Sequence, residues 1–182
     1  YDALYRLTGE TISSDPAGKN GAIGYLYDAV GNRLARTSTL TAIQPQTFAY
    51  DANDRITTET YDANGNTLAS DTQTFDWDSE NKLTSANDGA AQFIYDGDGN
   101  RVAKTVGGVT TRFLVDTLNP TGYSQVLEEI VGGTVQKAYT YGLKLISQQH
   151  ASGVSYYGFD GHGSVRYLTD ASGKMTDTYD YD

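Results

Sequence analysis

The groups in this sequence that could do chemistry are oxygen-rich and thiol-free: eighteen aspartates, five glutamates, two histidines and no cysteine. Carboxylates in such number invite an acid and base pair, as in glycosidases and aspartic proteases. Most of these aspartates, however, follow an aromatic residue or stand two or three places before a glycine, where they make turns. Asp96-Gly-Asp98-Gly-Asn100 alternates oxygen donors as a calcium loop does. Arg101 then occupies the sixth position, where an EF-hand requires glycine, and no glutamate stands at the twelfth, so a polar hairpin turn is the better reading. His150 and His162 lack a partner at metal-ligand spacing and read as surface or turn residues. Gly161-His162-Gly163-Ser164 is not Gly-x-Ser-x-Gly and no helix pattern follows it, so a glycine turn accounts for it and no catalytic residue is assigned. No cofactor is expected.

The elements that would position these groups come from a repeated phrase. Tyr27-Asp28-Ala-Val-Gly31-Asn32-Arg33-Leu34, Tyr61-Asp62-Ala-Asn-Gly65-Asn66-Thr67-Leu68 and Tyr95-Asp96-Gly-Asp-Gly99-Asn100-Arg101-Val102 are three copies of it. Tyr50-Asp51-Ala-Asn-Asp-Arg55-Ile56 is a shortened copy, and Phe75-Asp76-Trp77-Asp78-Ser-Glu-Asn81-Lys82-Leu83 a lengthened one. Chance placement of fifteen tyrosines and eighteen aspartates would give roughly one or two Tyr-Asp pairs, against seven observed, so the repeat is real.

Each copy reads as strand, turn, strand. The aspartate can accept from backbone amides just ahead of it, and the glycine three places later supplies the positive φ of a tight reversal. The flanking segments are rich in β-branched and aromatic residues. Isolated hairpins are marginal in water, so the copies must stack. The expected buried row is Tyr27, Tyr50, Tyr61, Phe75 and Tyr95 against Leu34, Ile56, Leu68, Leu83 and Val102. Tyr123–Val131 is the nearest thing to a helix, but its β-branched residues and the following Gly132-Gly133 make it a strand entering a hairpin. The chain reads as all-β, built of repetitive antiparallel hairpins.

A net charge of −10 argues against nucleic acid, which rewards clustered Lys and Arg. No apolar run approaches the roughly eighteen residues of a membrane span. The lack of cysteine excludes disulfides and thiolate chemistry without fixing a compartment. Opening at Tyr1 and closing on Tyr179-Asp180-Tyr181-Asp182, the start of another copy, the sequence reads as an excerpt of a longer chain.

From about Val106 the phrase changes, dividing the chain into hairpin repeats over 1–105 and a different segment over 106–182. The latter ends in Tyr156-Tyr157-Gly158-Phe159-Asp160-Gly161-His162-Gly163-Ser164-Val165-Arg166-Tyr167-Leu168-Thr169-Asp170-Ala171-Ser172-Gly173. This stretch closely resembles the repeat-associated core of bacterial Rhs proteins, and the earlier copies resemble their YD repeats. His162 departs from that pattern, standing where an apolar residue is expected.

The resemblance implies a spiralling β-sheet shell, shared with animal teneurins, that encloses a C-terminal toxin or other cargo. It also implies a secreted or cell-surface bacterial location and partners among neighbouring repeats, the enclosed domain and secretion machinery. The family's autoprotease and toxin regions would lie outside this chain. The rival expectation is a surface module whose exposed tyrosines contact glycans or a partner cell. An enzyme on a β scaffold ranks last, since no motif supports one.

Overall fold

The computed structural model describes residues 1–15, 18–179 and 181. Among them every regular element is a β-strand. The chain packs as two compact units, Tyr1–Thr72 and Gln73–Tyr181. Asp180 and Asp182, of the closing Tyr-Asp pairs, lie outside the described residues.

In the first unit, β1 (Gly9–Ile12), β2 (Gly21–Tyr27), β3 (Arg33–Ser38) and β4 (Gln46–Thr47) form one antiparallel sheet in chain order. The short strands β5 (Thr60–Tyr61) and β6 (Thr67–Ser70) pair as a hairpin. Only eleven places separate Tyr50 from Tyr61, too few for a returning strand, and a single bridge, Tyr50 to Ile56, holds that copy. Glu59 fills the resulting gap as a polar plug, accepting from the hydroxyls of Tyr61 and Ser70 at 2.9 and 2.8 Å.

The second unit is a long meander. Its strands are β7 (Gln73–Trp77), β8 (Leu83–Ala86), β9 (Ala91–Tyr95), β10 (Arg101–Val106), β11 (Val109–Asp116), β12 (Gln125–Val131), β13 (Thr134–Tyr141), β14 (Leu145–His150), β15 (Gly153–Phe159), β16 (Val165–Thr169) and β17 (Met175–Thr178). Each pairs antiparallel with the next. The segment 123–131 is strand β12 over most of its length, and it enters a two-residue hairpin at Gly132-Gly133. The change of phrase near Val106 is not a break in the sheet, because β10 and β11 pair directly across it.

Side chains directly opposite in an antiparallel ladder share a face, as do alternate residues along a strand. The register therefore gathers Trp77, Tyr95, Phe113, Tyr139, Tyr157 and Phe159 on one face of the second unit. The rings on that face are half-buried, and no side chain among the described residues is fully buried. Buried apolar residues are few among the described residues: Ile23, Ala103 and Leu168. Hydrophobic stabilisation is thus spread thinly along the sheets, as in repeat architectures where each unit leans on its neighbours.

Candidate functional site

The feature this chain repeats is an aspartate-built turn, found at Asp2, Asp28, Asp51, Asp62, Asp78, Asp96, Asp160 and Asp170. In every one, Oδ1 of the aspartate accepts from the N–H groups two and four residues ahead, at 2.8–3.0 Å. The aspartate's own N–H donates to the carbonyl four residues on. The third residue after it takes positive φ. Glycine fills that place at Gly31, Gly65, Gly99, Gly163 and Gly173, while Tyr5, Asp54 and Asn81 adopt φ near 60° in the other three.

The closing pair across each turn keeps the expected Tyr50–Ile56 partners and corrects the register of the others. The residue opposite the closing side chain stands six places later, not seven: Tyr27 faces Arg33, Tyr61 faces Thr67, Trp77 faces Leu83, Tyr95 faces Arg101 and Phe159 faces Val165. The seventh residue, Leu34, Leu68 or Val102, is the extra residue of a β-bulge, which strengthens local twist. Leu68 is 38% exposed, so the expected row is half-buried at best.

The lengthened copy is corrected too. Phe75 and Asp76 lie within β7, with Asp76 exposed. The turn is made by Trp77 and Asp78, and it has ordinary length. Tyr-Asp matching missed Trp77, Phe159 and Thr169 as closing residues, although a fixed Asp with Gly or Asn three places on would have found all three.

A second device joins one copy to the next. The hydroxyl of three closing tyrosines donates to the carbonyl of the sixth-place residue of the preceding copy: Tyr27 to Leu7 at 2.9 Å, Tyr50 to Arg33 at 3.0 Å and Tyr95 to Leu83 at 2.9 Å, whereas the Tyr61 hydroxyl gives its proton to Glu59 and lies 3.4 Å from the Ile56 carbonyl. Phenylalanine could pack there but could not make this bond, which is a physical reason for tyrosine. Where the fifth place is cationic, that cation also lies over the next ring. Arg6 is 5.0 Å from the centroid of Tyr27, Arg55 is 5.1 Å from Tyr61 and Lys82 is 5.9 Å from Tyr95. Where it is Asn32, Asn66 or Asn100, the side-chain amide instead donates to Oδ2 of its own turn aspartate.

Seven of these carboxylates, at Asp2, Asp28, Asp51, Asp62, Asp96, Asp160 and Asp170, are held acidic by the donors around them. Asp96 is lowered from the ordinary 3.8 by the Asn100 side chain and then the Asn100 N–H, Asp62 by the Asn66 side chain, and Asp51 by the Arg55 side chain. Asp2 is lowered first by the Arg6 N–H, Asp160 by the Ser164 N–H and Asp170 by the Ser172 hydroxyl. At Asp28 desolvation pulls upward, but the Asn32, Gly31 and Val30 donors outweigh it. Among the described residues no group of three or more His, Cys, Asp or Glu is arranged to hold a metal ion.

The remaining candidates are also accounted for by turns. His162 is exposed and contributes its N–H to Asp160. Ser164 does likewise, so Gly161-His162-Gly163-Ser164 is one more aspartate turn. Arg166, the extra residue of the bulge after that turn, lies 5.9 Å from the Tyr181 ring. His150 is held between Ser152 and Ser155 at 2.8 and 3.0 Å. The strongest electrostatic perturbations are on tyrosines: burial and then the Glu129 carboxylate, 2.6 Å away, push Tyr139 well up, and burial pushes Tyr157 up to about 12. Both are protonated donors at physiological pH. No helix among the described residues is long and apolar enough to cross a membrane.

Comparison with known proteins agrees with this geometry. No curated protein matches the sequence. A crystal structure of TcdB2-TccC3-TEV is similar in fold, with a TM-score of 0.61 and 17% identity, over 90% of this chain and 10% of that one. The chain thus spans about a tenth of that protein's length. The family model of the teneurin YD-shell matches residues 1–182, and with aspartate turns recurring along an all-β chain, this chain belongs to the YD-shell family.

Proposed function

We propose that this chain is a wall segment of a shell that encloses C-terminal cargo such as a toxin domain, in a secreted or cell-surface protein. Residues 1–105 supply YD-repeat hairpins and 106–182 a core-like segment of the same wall. The observation that carries this reading is the stitch between copies. At Tyr27, Tyr50 and Tyr95 a tyrosine hydroxyl seated on the previous copy's backbone fixes a hairpin to its predecessor, so the wall grows in one direction with little core of its own. Winding such a sheet also covers strand edges that would otherwise recruit other chains. Its role is mechanical, with neighbouring repeats and the enclosed segment as partners and secretion machinery as the route of delivery.

The test is single-particle electron microscopy of the parent protein together with limited proteolysis. The expected result is a hollow shell and a C-terminal fragment that resists protease until the shell is unfolded. An open strip with a freely digested C-terminus would overturn the reading.

A further inference from the structure

Two cations meet on one ring of the second unit without a counter-charge. The exposed Arg101, at the start of β10, has its guanidinium carbon 5.5 Å from the centroid of Phe93 and 5.6 Å from that of Phe113, and Lys104 Nζ stands 5.8 Å from the Phe113 centroid. The ladder gathers them: Phe93 is opposite Lys104, and Lys104 is opposite Thr111, two residues before Phe113 on the same face. Neither cation makes an ion pair or a side-chain hydrogen bond among the described residues. That is unexpected in a chain with twenty-three Asp and Glu against thirteen Lys and Arg. Glu129, opposite Phe113, is engaged instead by the Tyr139 hydroxyl at 2.6 Å. Arg33 of an earlier copy also lies over two rings, Tyr25 and Phe48, so the stacking belongs to the repeat. What this copy adds is the second cation and a hollow of about 220 Å³ that Arg101 lines with Phe113, Val115 and Val126, bordered by Asn100 and Ser124. The Ser124 hydroxyl is committed to Asn100 Oδ1 at 2.5 Å, and the Asn100 amide to Asp96. The donors left for a ligand are those of the Arg101 guanidinium.

We propose that this hollow binds a carboxylate carrying an apolar body, either a small organic acid or the C-terminal residue of a polypeptide. A guanidinium lying over rings keeps its in-plane N–H groups for a bidentate pair with a carboxylate. Lys104 adds positive charge beside it, and Phe113 and the two valines take the apolar part. Inorganic phosphate would satisfy the cations and leave the apolar lining unused. The volume is below the roughly 300–1,000 Å³ of drug-sized sites, which limits the apolar body to about one side chain. The proposal does not rest on the shell-wall reading.

The test is ligand-observed NMR and calorimetry on the parent protein with 4-phenylbutyrate and with an N-acetylated tripeptide ending in a phenylalanine carboxylate, each beside its amide. The expected result is saturable binding of at least one carboxylate, the tighter one naming the source, with the matching amide about tenfold weaker. Arg101→Gln should weaken binding about tenfold and Lys104→Gln by less. Arg112→Gln, on the other face of β11, should leave it unchanged. Should Arg101→Gln misfold by circular dichroism, Lys104→Gln and the comparison of acid with amide on the unaltered protein take its place. No saturable binding of either carboxylate, equal binding of acid and amide, or binding that Arg101→Gln leaves unchanged would overturn the proposal.

Discussion

The two edges of the second unit solve the same problem by different chemistry. On the edge holding the turns after β7, β9 and β15, the reversal is built by a side chain: Asp78, Asp96 or Asp160 gathers two amides in front of it. On the other, Gly107-Gly108 and Gly132-Gly133 reverse the chain with backbone alone, both glycines of each pair at positive φ, as a two-residue primed turn requires. Asp170 is the exception, an aspartate turn on the glycine edge. A glycine pair only closes a hairpin. The aspartate turn also sets a bulge and, where a hydroxylated ring precedes it, presents a donor to the previous copy, as Tyr95 does to Leu83. One edge is therefore the seam of the wall, and the other is its hem.

Acid should separate the edges most strongly. On the seam, Asp96 and Asp160 have folded values below the unfolded 3.8, so their contribution is fully present above that value and is lost as pH falls through the lowered folded values. Urea midpoints measured from about pH 5 down to about pH 2 should drop steeply below pH 3.8. Asp96→Asn should shallow that drop, and a flat profile would mean the turns carry no stability.

Truncating a seam ring comes next. Tyr95→Ala should cost about 2–3 kcal/mol, less than a core aromatic because the ring is half-buried. Tyr95→Phe should cost about 1 kcal/mol, the hydrogen bond to Leu83 alone. No loss in Tyr95→Phe by chemical denaturation would refute the stitch.

Glycine substitutions sharpen the contrast further. Gly99→Ala places a Cβ at φ +86° beside the Lys82 side chain and should cost about 1–2 kcal/mol. Gly107→Asn, at φ +57°, should change stability by less than about 0.5 kcal/mol, because asparagine tolerates the left-handed region.

The hairpin architecture was legible in the sequence because two-residue alternation and the Tyr-Asp phrase both declare it. The wrong register was also a consequence of reading text: Leu34, Leu68 and Val102 look like partners of the ring, but a bulge moves pairing to the residue before them. Asp2 and Asp170 were obscured for a different reason. The turn needs one carboxylate and two amides, so Tyr5 can take the glycine's conformation and Thr169 the ring's place without changing the fold. The Tyr167 ring packs directly on the Gly158 backbone, which had no signature at all in the sequence, since it depends on which glycine lies across the ladder.

The most direct measurement is amide hydrogen exchange by NMR, comparing Asp98, Asn100, His162 and Ser164 with Gly107 and Gly108. If carboxylates build the seam, those four exposed or half-buried turn amides should exchange far more slowly than free peptide at neutral pH, and Asp96→Ala should release Asp98 and Asn100 while leaving the Gly107-Gly108 hairpin unchanged. Free-peptide exchange rates at the four amides in the unaltered protein would contradict the account.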